Sequence, residues 1–217
     1  MSPVRRRRFR AASKPLVGPA QAAAAKPERF LRAALLSTIA LLPLGCTGAQ
    51  PAAPDTAILR PGQFGAGADP DVTAVNLAQY AFADPSRTYG KPIDAARACA
   101  AMEYLAGQLN TSPRCGSVSE LTKEQLLQGR AEIREALGVV PDASSQAVVD
   151  RLTAAANALA AADEPEAARQ LGPPTFNAPG EQVVARLANM PYLRMANVSS
   201  MRAANELFQP STNDITP

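Results

Sequence analysis

Histidine is absent from the sequence, and tryptophan with it. Losing imidazole removes the usual neutral-pH general base, the Ser-His-Asp triad, the Cys-His dyad and most zinc sites. No glycine-rich loop follows a strand pattern to cradle a phosphate, and the CxxC and CxxCH spacings of redox pairs and haem attachment are missing. Carboxylate pairs remain the one available acid-base chemistry, as in glycoside hydrolysis. The candidates Asp94, Glu103 and Glu132 are scattered and carry no distinguishing motif, so they read as surface charge. The expectation is a protein that is not an enzyme and needs no cofactor or metal. A long apolar run is also lacking. The longest, Ala33 to Leu44, is interrupted only by Ser37 and Thr38. As a helix it rises about 18 Å, too little for a hydrocarbon core of about 30 Å.

Charge is present but segregated. Residues 1–45 hold nine basic groups (Arg5, Arg6, Arg7, Arg8, Arg10, Lys14, Lys26, Arg29 and Arg32) against Glu28 alone. From Cys46 onward there are 13 basic and 18 acidic residues, a charge of about −5 that hides behind the overall +3. Phosphate neutralisation needs a basic surface, so no nucleic-acid partner is expected.

The basic lead, the short apolar run and the small residues Gly45-Cys46-Thr47-Gly48-Ala49 form an export-signal pattern. Residues 1–25 extend that lead unusually far, or precede a later translation start. Leu42-Pro43-Leu44-Gly45-Cys46 resembles the lipobox of bacterial lipoprotein precursors. Gly45 and Cys46 match it. Pro43 stands where Leu, Val or Ile is usual, and Leu44 where Ala or Ser is usual. The resemblance implies that Cys46 becomes the first mature residue and is lipidated. Thr47, rather than Asp, implies an outer-membrane address facing the periplasm. Cleavage after Ala49 by an ordinary signal peptidase is the alternative, and would release a soluble periplasmic protein.

Whichever peptidase cuts, Cys99 and Cys115 remain. An even remainder in an oxidising compartment reads as one disulfide. If a helix carrying Cys99 ends near Leu109, the six residues to Cys115 can just return along it.

Residues 46–70 are rich in Pro, Gly and Ala and read as a flexible tether. Residues 71–208 form the folded domain, with 209–217 a tail. Periodicity in the domain is helical throughout. Helices are expected over 72–83, 92–109, 122–137, 144–162, 164–171, 181–189 and 191–208. Thr122-x-x-Gln125 resembles a capping box, and Gly138 a stop. The fold class is all-α, a small bundle of about six or seven helices. Tyr80, Phe82, Tyr89 and Tyr104 read mainly as core around its first two helices.

One repeat stands out. Arg-x-Ala-Asn recurs every eight residues as Arg186/Asn189, Arg194/Asn197 and Arg202/Asn205. Eight residues turn a helix by about 80° beyond two full turns, so the pairs cannot form one straight stripe. Arg194, Asn197, Arg202 and Asn205 are still a candidate binding surface, though a solvated face explains them as simply. Two functions follow from the sequence. One is a lipid-anchored interaction or scaffold module of the cell envelope, its envelope partner unknown. The other is a periplasmic binder of small ligands or peptidoglycan fragments.

Overall fold

The computed structural model describes residues 54–65 and 69–208. The export signal, Cys46 and the 209–217 tail lie outside the described residues.

Seven α-helices make up the described chain: α1 Pro70–Phe82, α2 Pro92–Thr111, α3 Glu120–Leu137, α4 Ser145–Ala160, α5 Glu164–Gln170, α6 Gly180–Ala188 and α7 Arg194–Phe208. Short 3-10 turns follow α1 and α2. The only extended pairing among the described residues is one antiparallel bridge, Val139 with Phe176. The all-α expectation therefore holds.

Local chemistry sets the helix ends. Asp69 accepts the Asp71 and Val72 amides, and Pro70 needs no amide donor in the first turn. Ser144 and Asp163 cap α4 and α5 in the same manner. Gly138, at φ 73°, closes α3 in the left-handed region where side chains are strained. The α3 start differs from expectation. Ser119 is the cap, accepting the Thr122 amide, so the helix begins at Glu120, two residues before Thr122.

α2 is the central helix. Its buried alanines and Cys99, Met102, Leu105 and Leu109 lie all around it, since α1, α3, α4 and α6 surround it. Small side chains let the neighbours approach. A Cβ on Gly129 of α3 would stand 3.1 Å from the Ala196 Cα of α7.

The tether expectation over 46–70 is corrected for residues 54–65. They lie as a strap across α2, α3 and α4. Ala57 is buried, and the Ile58 backbone both donates to and accepts from the Gln146 side chain. The strap crosses α2 at Gly107, where any Cβ would stand 2.6 Å from the Thr56 Cα. Proline and glycine content signals a chain without its own hydrogen-bonded structure. It does not reveal a surface that supplies the missing partners.

The disulfide expectation is also corrected. Cys99 and Cys115 are both buried free thiols. The Asn110 and Thr111 side chains bond back to the Ala106 and Gly107 carbonyls, and α2 runs two residues past Leu109. Cys99 is then about 18 Å from the helix end. The four residues to Cys115 are mostly wound into a 3-10 turn of about 2 Å rise each, and cannot return that far.

Candidate functional site

The carboxylates considered for acid-base chemistry are separated; Glu103 and Glu132 are engaged by partners, and Glu103 departs from the surface-charge expectation because it is buried. Glu103 is inside the bundle, 1% exposed. Arg134 grips it with two hydrogen bonds, Nε to Oε2 at 3.0 Å and Nη2 to Oε1 at 2.6 Å. Ser145 Oγ donates to the same Oε1 at 2.7 Å. The Asp55 carboxylate accepts the Ser145 amide, and Arg130 donates to the Asp55 carbonyl at 2.8 Å. This cluster ties the strap to α2, α3 and α4. Glu132 Oε2 accepts the Met195 and Ala196 amides, so it caps α7 from outside. Asp94 is exposed in the first turn of α2. No group of three or more Cys, Asp or Glu converges to hold a metal among the described residues.

A second buried polar contact holds α1 to α2. The Tyr104 hydroxyl donates to Asp71 Oδ1 at 2.5 Å, and Arg114 pairs with Asp69. Burial, with that hydrogen bond, pushes the Tyr104 hydroxyl far above its ordinary range. Burial likewise raises both thiols. None of these groups is activated as a nucleophile.

A lobed cleft lies beside the strap, lined by Arg60, Gln63, Thr153 and Asn157. Two pairs of its polar groups answer one another. Gln63 donates to Thr153 at 2.9 Å, and Arg60 faces Asp150 at 3.8 Å.

The open face is the seam between α1 and α7. Asn197 Nδ2 donates to the carbonyl of Phe82, the last residue of α1, at 2.9 Å. One turn further along α7, Met201 lines a shallow depression of about 410 Å³ with Asn76, Gln79, Tyr80, Ala83 and Arg87. Advancing on α7 thus retreats on α1, and the helices run antiparallel. Val72, Asn76 and Tyr80 are spaced i, i+4, i+8 on α1. Met201, Asn205 and Phe208 are spaced i, i+4, i+7 on α7, with Arg194 one heptad before Met201. Tyr80 is 62% exposed, Met201 43%, Phe208 44% and Val72 38%. Arg87 stacks over the Tyr80 ring at 4.3 Å and donates to the Tyr80 carbonyl.

The repeat is divided by this arrangement. Arg186 is spent on the Leu137 carbonyl, and Asn189 on that of Ala185. Asn197 binds Phe82 as above. Arg194, Arg202 and Asn205 are exposed on α7, in no buried groove. The aromatic expectation also divides: Phe82 and Tyr104 are core, while Tyr80 and Tyr89 are exposed. Arg87 and Phe208 join the face without having been signalled. The i, i+4, i+8 spacing from Val72 to Tyr80 was the available sign.

No protein-family model, curated protein or solved structure matches the chain.

Proposed function

We propose that the chain is an exported, lipid-anchored interaction module of the bacterial cell envelope. It acts by binding rather than catalysis, and engages a partner protein through the α1–α7 face. The observation carrying this reading is the depression where the exposed Tyr80 and Met201 meet between α1 and α7, with the exposed Val72 and Phe208 on the same faces of those two helices. Tyrosine, methionine and arginine are the residues enriched in protein interfaces, and contiguous apolar exposure marks such sites. Glu103, Glu132 and the two thiols, by contrast, are buried or committed to hydrogen bonds.

The lipobox resemblance supports anchoring through Cys46. Among the described residues no helix is long and apolar enough to cross a membrane. The docked strap gives the anchor a consequence. Only eight steps of chain separate Cys46 from Pro54, a reach of at most about 28 Å. The domain is then held close to the outer membrane, facing the periplasm.

Two comparisons test this reading. Palmitate label on the chain is expected to vanish in Cys46→Ser; equal label in both would remove the anchor. Membranes solubilised in mild detergent should yield a stoichiometric protein partner with the wild-type chain. A chain carrying Tyr80→Ala and Met201→Ala should lose it. Equal recovery by both would remove the face.

A further inference from the structure

We infer that the cleft between the strap and α4 binds a sugar acid. Arg97 takes its carboxylate, and the far end of a polar stripe on α4 takes its hydroxyls. The cleft shares no residue with the α1–α7 face, so the site stands whether or not that face meets a partner.

α4 carries Gln146, Asp150, Thr153 and Asn157 at i, i+4, i+7 and i+11, one polar stripe along the helix. The strap answers this stripe in order. Ile58 exchanges hydrogen bonds with Gln146, Arg60 faces Asp150 at 3.8 Å, and Gln63 donates to Thr153 at 2.9 Å. The pairing ends there. Asn157 is exposed, and its side chain has no hydrogen-bond partner among the described residues. Arg97 of α2 lines the same lobe of the cleft and is also exposed. It has no carboxylate within 4.0 Å among the described residues, Asp94 of its own helix included. Ala66, Gly67 and Ala68, next in the chain after the strap, bring no acidic side chain.

The cleft has two lobes. One, of about 400 Å³, lies among Phe64, Leu77 and Arg97. The other, of about 360 Å³, lies between Arg60 and Asp150. Gly62, Gln63, Thr153 and Asn157 line both. Spaces of this order suit a molecule of monosaccharide size. Two turns shape the strap side. The Gln63 amide donates to the Arg60 carbonyl at 3.0 Å, and the Gly65 amide to the Gly62 carbonyl at 3.1 Å.

The two lobes differ in chemistry. The Arg97 lobe holds one cation and no acid, and a guanidinium suits a carboxylate geometrically. Phe64 and Leu77, both half-buried, offer apolar surface to the CH face of a ring. The other lobe brings Asp150 to accept from hydroxyls. Between them Asn157 can both donate and accept. A carboxylate at one end of a hydroxylated ring matches that order. A neutral sugar leaves Arg97 unmatched, and an aliphatic acid leaves Asn157 and Asp150 unmatched.

Calorimetric titration of the full chain tests the site. The probes are two sugar acids, D-glucuronate and N-acetylmuramate, each set against its neutral counterpart, D-glucose and N-acetylglucosamine. At least one acid should bind at least tenfold tighter than its counterpart, and which one does so separates a uronic acid from a cell-wall sugar. Arg97→Gln should abolish that preference, and Asn157→Ala should weaken binding severalfold. Both variants should keep the wild-type thermal midpoint, because both side chains are exposed. Bound acid should also slow amide exchange at Gln63 and Gly65. Binding of neither acid, binding no tighter than that of the neutral sugars, or a preference that survives Arg97→Gln overturns the inference. Tyr80→Ala with Met201→Ala should leave the titration unchanged, so failure of the sugar site and failure of the α1–α7 face are read separately.

Discussion

Arg134 and Glu103 meet through two parallel hydrogen bonds inside the bundle, on helices that no local sequence signal joins. Removing one partner strands the other charge away from water. Glu103→Ala is expected to cost about 3–5 kcal/mol. For a domain of this size that lowers the thermal midpoint by roughly 10 °C. Glu103→Leu combined with Arg134→Met should recover part of the loss, because the apolar pair leaves no Arg134 charge stranded, while Arg130, 4.0 Å from Glu103, keeps its own. Calorimetry of the three proteins measures it. A double variant no better than the single one would mean that Arg130 and Ser145 depend on Glu103 as well.

Gly107 sets where the strap crosses α2. Gly107→Val places carbon against the Thr56 backbone, which has no room to yield. Amide exchange over residues 55–64 is expected to rise at least tenfold, with α2 and α4 still protected. Unchanged exchange would show that the strap can shift without leaving.

The two thiols should stay reduced. Burial, assisted by the nearby Glu103 carboxylate, raises Cys99, and burial raises Cys115. Neither should react with an aromatic disulfide reagent in the native state. Unfolding in denaturant with alkylator, and no reductant, should add one label to each. A mass showing neither labelled would restore the bridge.

Glu206 links α7 to the start of α3, and its titration should be visible in stability. Burial favours its neutral form, but the hydrogen bonds from Ser119 and Thr122 outweigh this and hold its pKa below the ordinary value. A depressed carboxylate contributes stability above the unfolded pKa of about 4.3, and that contribution is lost as pH falls through the folded value. Glu206→Gln should therefore flatten the acid limb of the stability curve below about pH 4, with little change in its slope at pH 7.

Much of the helical layout was legible because it rests on local chemistry. Pro92, Ser144, Asp163 and Gly138 announce their ends within a few residues, whereas the Asp69-Pro70 start of α1 was read as tether. What was not legible depends on partners distant in sequence. Asp55 finds Ser145 ninety residues away, and Glu132 finds the α7 amides more than sixty away. The α2 end was misplaced because Asn110 and Thr111, usually turn-formers, bond backward into their own helix. The site was half visible. Arg194, Arg202 and Asn205 were found on α7, but the apolar stripe beside them is shared between α7 and α1 and emerges only when the two helices are laid antiparallel.

The central claim is that the α1–α7 face meets another protein at the membrane. Site-specific photocrosslinking in intact cell envelopes tests it most directly. A photoreactive residue at Tyr80 or Met201 should give one discrete adduct with a different protein. The same residue at Glu124, exposed on α3, should give none. Equal adducts from both positions, or none from the face, would contradict the account.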